Sequence, residues 1–305
     1  MLHGRGDNLK ERFQPEDIPS SNPPPEPTHK KVLRATALIC VAVLLIGGPI
    51  YYYMDQRGIS LFGSNTVEVE IEAGQEIVTV LKLMQEGKSL RALEVIRMLY
   101  TLHPENAEYV STGAWINFKN ERYKDAMELA RAAIQLDPLR ARDHAVLGAC
   151  RLNFKQYKPA LEDSLQALKL DPEFPLAYLT IGEIYLKEND LERALPALKK
   201  AGRLDAQNPL VWLRLSSAFI KLKQWDKAEQ AVQTSLKLKP DAPGSHFNLA
   251  IVYTKTEKGP LAVEHMQKAQ DLYDQSGQYE WAGQARRNKE LIIKKFKLRP
   301  DDIPL

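Results

Sequence analysis

Cysteine is scarce in this chain of 305 residues, which has only Cys40 and Cys150. Cys40 lies in an apolar run and Cys150 in a segment with helical periodicity, so we do not expect a disulfide between them. Two cysteines exclude the disulfide framework that holds many small secreted domains together. The count does not identify the redox state of the compartment.

An excess of either charge is also missing. The 42 Lys and Arg residues nearly balance the 39 Asp and Glu residues, and the formal net charge is +3. Such a balance gives no reason to expect a nucleic acid as the partner. One basic cluster near the end could touch nucleic acid or lipid headgroups, but a solvated helix face is the better interpretation. The cluster comprises Lys294, Lys295, Lys297 and Arg299.

Sequence motifs for catalysis and for metal binding are absent. The six histidines show no HExxH or other metal-ligand spacing. No glycine-rich phosphate loop follows a strand, and no serine or cysteine nucleophile lies in a recognisable turn. We therefore predict that the protein is not an enzyme, with no catalytic, metal-binding or cofactor-binding residues and no cofactor.

The chain has one long apolar run, from Ala35 to Met54. A run of about 20 uncharged residues is long enough to cross the hydrocarbon layer of a membrane as a helix. Three consecutive tyrosines near its far end are typical of an aromatic belt. Because about 30 residues precede the run and no small-x-small cleavage site follows it, we favour an uncleaved anchor over a signal peptide. We predict a single-pass transmembrane helix over residues 32–54.

Flanking charges predict how this helix is oriented. Lys30, Lys31 and Arg34 precede the apolar run, whereas only Arg57 is close on the other side. The positive-inside rule then places the N-terminal tail in the cytoplasm and residues 55–305 on the far side of the membrane.

The segments around the predicted helix have little capacity to fold. Residues 1–31 form a polar, proline-rich tail that we predict to be disordered, and a plain linker is favoured over a ligand for a proline-binding groove. Residues 55–72 form a spacer. Its end, Val67 to Glu72, alternates like a strand but is too short and isolated for a sheet, so we expect extended chain. Residues 299–305 form a C-terminal tail.

The rest of the chain repeats with a period of 34 residues. Alanine recurs at Ala92, Ala126, Ala160, Ala194, Ala228 and Ala262. Leucine recurs at Leu102, Leu136, Leu170, Leu204, Leu238 and Leu272. This frame divides residues 73–276 into six units: 73–106, 107–140, 141–174, 175–208, 209–242 and 243–276.

Small and large positions within one unit predict a helical hairpin. The eighth position is mostly small and the twentieth is always alanine, which lets two helices approach closely. The twenty-seventh is also mostly small, so the second helix can pack on the next unit. Proline marks the joints between units at Pro104, Pro138, Pro172 and Pro240. Pro196 instead falls inside a predicted second helix, where a kink is expected.

These positions resemble the tetratricopeptide repeat family, with its 34-residue helix-turn-helix and its pattern of aromatic, small and proline positions. The first unit departs from the pattern, with Val80 and Leu99 at small positions, as in an atypical terminal repeat. The resemblance implies an all-α, right-handed superhelical solenoid of about six repeats, preceded by the transmembrane helix. Residues 277–298 follow as an amphipathic helix that caps the last apolar face.

Arrays of this family are similar to one another in lining a concave groove with the first helices of successive units. Here the fifth and ninth positions lack the lysine and asparagine that hold the C-terminal carboxylate of chaperones, which excludes that function. An apolar stripe crosses units four to six instead, comprising Leu176, Leu179, Leu210, Leu213 and Phe247. Basic residues flank it at Lys187, Lys221, Lys255 and Arg214. These nine residues are the predicted partner-binding groove, and packing leucines with a solvated lysine rim remain the alternative.

The sequence predicts a membrane-tethered scaffold that binds a protein or peptide segment, one that could carry acidic and apolar residues. The layout resembles bacterial inner-membrane proteins with an N-terminal anchor and a periplasmic tetratricopeptide domain, which assist assembly or secretion of protein complexes. Two alternatives stay open: a mitochondrial import receptor facing the cytosol, and an array that packs on itself as a homo-oligomer.

Overall fold

The computed structural model describes residues 32–33, 71–72 and 75–302. These belong to two compact units, 1–79 and 80–305. In the first, strand β1 (Val32–Leu33) pairs antiparallel with strand β2 (Ile71–Glu72). Two expectations change at these residues. Residues 32–33 are strand, not the start of a helix, and 71–72 are paired, because their β-branched and alternating side chains suit a ladder.

The remaining residues of the predicted transmembrane helix, tail and spacer lie outside the described residues. Among the helices that the structure describes, none has the length and apolar character needed to cross a membrane.

The ranges from 75 to 302 contain thirteen α-helices and a closing 3-10 turn. The first helices of the six units are α1 (Glu76–Gln85), α3 (Ala107–Lys119), α5 (Ala141–Asn153), α7 (Pro175–Lys187), α9 (Pro209–Lys221) and α11 (Pro243–Lys255). The second helices are α2 (Ser89–Leu102), α4 (Tyr123–Leu136), α6 (Tyr157–Leu170), α8 (Leu191–Leu204), α10 (Trp225–Leu238) and α12 (Gly259–Gln275). Helix α13 (Tyr279–Phe296) and the turn Pro300–Asp302 complete this part of the chain.

Small side chains set the spacing of the two helices in a hairpin. The six alanines at the twentieth position are all fully buried. Where the facing eighth position is glycine, the helices come closer still. A Cβ at Gly148 would lie 2.9 Å from the carbonyl oxygen of Ala160, and one at Gly182 would lie 2.6 Å from Cγ of Leu198.

Each hairpin turns through a residue in the left-handed backbone region. The fifteenth position of every unit has φ between 56° and 72°. Only Gly87 is a glycine there; the others are Glu121, Lys155, Asn189, Lys223 and Glu257. Two residues later the second helix begins, so this single conformation reverses the chain in all six units.

Joints between units are tied by a recurring side-chain hydrogen bond. In units three to six, the fourth residue donates from its ring to a carbonyl oxygen in the loop that precedes the unit. Tyr178 Oη donates to Pro172 at 3.0 Å, and Trp212 Nε1 donates to Ala206 at 2.8 Å. Nε2 of His144 and Nε2 of His246 make the same contact at 3.0 and 2.9 Å. The bond gives a hydrogen-bond donor to a carbonyl group in the loop between two units.

The first helices form the inner layer of the array. Helices α3, α5, α7 and α9 each contact the next first helix directly, while second helices are not brought into comparable contact. The layer with closer neighbours lies on the inside of a curve, so the first helices line the concave face. Helix α8 runs unbroken through Pro196.

A final hairpin closes the array. Helix α12 has 17 residues, against 14 in each other second helix. In the turn after it, the Gln278 amide donates to the Tyr273 carbonyl, as the Gln156 amide donates to the Arg151 carbonyl in the hairpin of the third unit. Helix α13 then packs along α12, with Ala282 and Ala285 buried. It therefore covers the apolar side of the last unit, as a cap must.

Candidate functional site

The five apolar residues of the predicted groove lie on the first helices, but they differ in accessibility. Leu179 is 4% exposed and belongs to the core between units four and five. Leu176, Leu213 and Phe247 are half-buried. Leu210, at 38%, exposes the largest surface of the five.

The half-buried members of this stripe pack across unit boundaries. Leu176 contacts the cores of units two to five, and Phe247 packs on the cluster around Tyr273. A Cβ atom placed on Gly244 would lie 3.2 Å from Cδ2 of Leu213, so this leucine packs directly against the backbone of the next first helix. The stripe is thus continuous with the core, and its outer edge forms an apolar floor on the concave face.

Polar groups cross the same face in a second row. Nη2 of Arg214 lies 2.8 Å from Oε1 of Glu183, and both side chains are largely shielded from solvent. Nε of Arg214 is buried and has no hydrogen-bond partner. One unit further, Nδ2 of Asn248 donates to Oγ of Ser216 and Oγ of Ser217 at 2.8 and 2.9 Å. The other polar groups of this row therefore bond to one another across the boundaries between units.

The predicted lysines form a third row. Lys187, Lys221 and Lys255 are the last residues of α7, α9 and α11, and all three are exposed. Nζ of Lys221 donates to Oδ1 of Asn189 at 2.9 Å and to the Leu186 carbonyl at 3.3 Å. Both of those partners are uncharged, so the ammonium charge is not neutralised.

A buried polar cluster in units two and three was not predicted as a group. Oγ of Ser111 donates to Oδ1 of Asp143 at 2.5 Å, and Nη2 of Arg142 donates to Ser111 Oγ at 2.8 Å. Asp143 is fully buried, and burial raises the pKa of its carboxyl group. The hydrogen bond from Ser111 lowers this pKa and so opposes part of the rise. Burial also lowers the pKa of Arg142. A sequence signal did exist, because Asp143 occupies a position that is apolar in the next two units, at Ala177 and Val211.

Burial also determines the reactivity of the one cysteine that the structure describes. Burial raises the pKa of the Cys150 thiol to about 12, which keeps it protonated and unreactive at neutral pH. Within residues 75–302 no three His, Cys, Asp or Glu side chains come together to hold a metal ion. The concave face instead presents three parallel rows, apolar, polar and cationic, across units four to six.

Comparison with known proteins agrees with this architecture. Two models of the tetratricopeptide repeat match residues 156–209 and 185–246. No curated protein matches the chain. Residues 156–246 are therefore similar to the tetratricopeptide repeat, within the all-helical solenoid of residues 75–302, and folds of this type commonly bind protein or peptide partners.

Several solved structures share the fold at low identity. The APC/C hetero-tetramer Cut9-Hcn1 is 19% identical, with a TM-score of 0.60 over 70% of this chain and 43% of that one. PilF of Pseudomonas aeruginosa is 22% identical, with a TM-score of 0.52 over 67% and 93%. Yeast Tom70 is 17% identical, with a TM-score of 0.51 over 74% and 48%. The chain spans less than half the length of the first and third. At these identities the likeness shows the fold alone.

Proposed function

We propose that the chain is a scaffold whose concave face, in units four to six, binds a segment of another protein. The observation that carries this proposal is the set of three parallel rows on that face. Leu210 offers apolar surface, the half-buried Asn248 and Ser217 offer hydrogen-bonding groups, and Lys187 and Lys255 offer cationic charge. A bound segment would satisfy all three at once, which a solvated surface does not.

The proposal includes a membrane tether. The uncharged run from Ala35 to Met54 supports a single-pass helix over that run, and the lysines before it support an N-terminus in the cytoplasm. The described solenoid would then face the far side, the periplasm in a bacterium, where it would assist assembly or secretion of a protein complex.

A site-specific crosslink tests the binding face. A photo-crosslinking side chain placed at Leu210 lies on the concave face, and one placed at Leu165 is the matched control on the second-helix layer, with 38% and 46% exposure. We expect a partner to be crosslinked in cells from position 210 and not from position 165. A partner captured only from position 165 would place binding on the outer layer and contradict the proposal. Crosslinks of the chain to itself from position 210 would favour the self-assembly alternative.

A fractionation experiment tests the tether separately. The full chain should stay with membranes in alkaline carbonate, and a variant with Val43→Arg and Leu45→Arg should be released, because each arginine at the centre of a span opposes insertion by roughly 2.5–3.5 kcal/mol. A reporter fused after Leu305 should be active on the far side only. Cytosolic reporter activity would favour the import-receptor topology.

A further inference from the structure

A cavity of about 550 Å³ lies between α2 and α4, the second helices of units one and two. Ligand sites commonly have volumes of roughly 300–1,000 Å³. The apolar part of the lining comprises Leu93, Leu129 and the ring of Tyr100, together with Leu90, which is 77% exposed. The charged part comprises Glu94, Arg97, Arg122, Asp125 and Glu128. None of the residues in the three concave-face rows lines this cavity.

A small side chain at the eleventh position of unit two accounts for the cavity. That residue is Asn117, whose Nδ2 donates to the Gly113 carbonyl at 2.8 Å. The short amide is thereby held against its own helix, α3. In units four to six the same position carries an aromatic ring, at Tyr185, Phe219 and Tyr253. Unit two therefore lacks the ring that fills this place in the later units.

The neighbours of Tyr253 show how such a ring is held. The ring centroid of Tyr253 lies 5.6 Å from that of His265 and 4.9 Å from Nζ of Lys258. Its hydroxyl group interacts with Glu229 and Gln233, which belong to the second helix of the preceding unit. A tyrosine at the eleventh position thus has apolar and cationic contacts on its ring and polar contacts at its hydroxyl.

The positions around Tyr253 recur around the cavity. In the 34-residue frame, its four neighbours correspond to residues that all line the cavity, namely Leu93, Arg97, Arg122 and Leu129. Asn117 also lines the cavity and corresponds to Tyr253 itself. The cavity between units one and two therefore matches the place that a tyrosine ring fills in unit six.

Two arginines give this place its polarity. Arg122 corresponds to Lys258, whose ammonium group lies over the Tyr253 ring, and a guanidinium group is likewise attracted to an aromatic face. Arg97 corresponds to Gln233, and its guanidinium N–H groups can donate to a phenol oxygen. The lining therefore suits an aromatic ring that carries a hydroxyl group.

We infer that this cavity binds a tyrosine side chain presented by a segment of a partner protein. The ring contacts Leu93 and Leu129, and its hydroxyl oxygen accepts a hydrogen bond from Arg97. Leu90 favours a polypeptide over a free phenol, because apolar side chains beside the tyrosine bury this exposed leucine and a free phenol leaves it in water. The inference does not rest on the proposed function, since the cavity is separate from the concave-face rows.

Filling the cavity from within tests its shape. Asn117→Tyr installs the residue of unit six and should raise the urea midpoint of the full chain in mild detergent, because the new ring occupies the cavity. The matched control, Gln230→Tyr, adds the same ring at an exposed site on a second helix and should leave the midpoint unchanged. A midpoint for Asn117→Tyr at or below that of wild type would overturn the match to Tyr253.

Four probes test the ligand by isothermal titration calorimetry with the full chain in mild detergent. They are the peptide Ser-Leu-Tyr-Leu-Ser, the same peptide with phenylalanine or with alanine at its centre, and N-acetyl-tyrosinamide as a free phenol. The tyrosine peptide should bind at least about threefold more tightly than the phenylalanine peptide, in line with one added hydrogen bond. It should also bind several-fold more tightly than the free phenol, and the alanine peptide should not bind.

Single substitutions locate each contact. Asn117→Tyr should abolish binding of the tyrosine peptide, whereas Gln230→Tyr should retain it. Arg97→Leu, at an exposed site, should make the tyrosine and phenylalanine peptides bind equally. Leu90→Ser, also at an exposed site, should reduce the affinity of the tyrosine peptide to that of the free phenol.

The contrary outcomes each overturn a stated part. Equal binding of the three peptides to wild type rejects a ring site, and equal binding of the tyrosine and phenylalanine peptides rejects the hydroxyl contact. Equal binding of the tyrosine peptide and the free phenol, unaffected by Leu90→Ser, rejects the polypeptide and assigns the cavity to a small phenol. Unchanged peptide binding in Asn117→Tyr rejects the cavity as the site. The crosslink at Leu210 tests the concave face alone, so its result stands apart from these.

Discussion

Nη1 of Arg151 lies 2.7 Å from Oδ2 of Asp163, in an ion pair that joins α5 to α6 inside the third unit. The two side chains are only 22% and 13% exposed. The same two positions hold Tyr185 and Ala197 in the fourth unit. Burial raises the pKa of Asp163 to about 6, and Arg151 opposes that rise. The desolvation of this pair therefore offsets much of its Coulombic attraction.

The pair predicts opposite effects for single and double substitutions. Asp163→Ala leaves the Arg151 charge largely buried and unpaired, and should lower the free energy of unfolding by roughly 3 kcal/mol. Arg151→Tyr with Asp163→Ala installs the residues of the fourth unit, and should be neutral or stabilising by about 1–4 kcal/mol relative to wild type. Chemical denaturation followed by circular dichroism measures both. A double variant clearly less stable than wild type would show that the pair is a net source of stability.

Two histidines in the sixth unit predict a loss of stability in mild acid. Nε2 of His246 must donate to the Pro240 carbonyl, so Nδ1 of the neutral ring accepts from Nδ1 of His265 at 2.9 Å. Burial is the main cause that lowers the pKa of each ring. The positive charge of Lys268 lowers both pKa values further, whereas the negative charge of Glu264 raises them. The unfolded chain then binds more protons, and stability falls as the pH drops below about 6.5, the ordinary histidine value.

The matched variant for that experiment is His246→Tyr with His265→Ala, the pair of residues found in the fourth unit. Urea midpoints at pH 7.5 and 5.5 should differ more in wild type than in this variant. Because Asp163 is present in both chains, its own titration cancels from the comparison. An equal difference in the two chains would assign the acid sensitivity to other groups.

Much of the hairpin architecture was predictable because it depends on side-chain size. Alanine at positions such as Ala126 and Ala194 permits close helix approach, and both are fully buried in the structure. Proline at Pro138 and Pro172 ends up in the loops between units for the reason that the sequence indicated.

Features that depend on hydrogen-bond partners were harder to predict. His144 occupies the position that holds Tyr178 one unit later, and it donates to the Pro138 carbonyl as Tyr178 does to Pro172. The shared property is a ring that carries an N–H or O–H group, and that signal was present in the sequence. The ion pair of Glu183 with Arg214 depends on how two first helices align, which spacing alone does not specify.

Accessibility within the groove was the least predictable property. The 34-residue frame places Leu179 and Leu210 on the same face, but Leu179 is covered by the neighbouring helix and Leu210 is not. Whether a groove side chain is buried in this way depends on the size of the residues that face it from the next unit. The predicted groove set therefore mixes core residues with surface ones, and the crosslink at Leu210 is the sharper probe.

The left-handed turn residues predict that glycine will stabilise the hairpins. Lys155 has φ 59° and is exposed. A non-glycine residue in this region costs roughly 1–2 kcal/mol relative to an ordinary conformation, and glycine does not bear that cost. Lys155→Gly should raise the free energy of unfolding by about 0.5–1 kcal/mol. Glu162→Gly, on an exposed site inside α6, should lower it by about 1 kcal/mol. Thermal unfolding of the two variants measures both effects. A loss of stability in both would show that the left-handed conformation of Lys155 does not carry the expected cost.

Gly182 and Leu198 predict a compensating pair of substitutions. Gly182→Ala drives a methyl group against Leu198, where the Cβ position is 2.6 Å from Cγ, and should cost about 1–3 kcal/mol. Leu198→Ala alone opens a cavity and should cost about 2–5 kcal/mol. The second unit already combines Ala114 with Ala130 at these positions, both fully buried. The double variant should therefore lose clearly less than the sum of the single losses, by at least about 0.5 kcal/mol in a double-mutant cycle. Strict additivity would mean that the backbone, and not these two side chains, sets the distance between the helices.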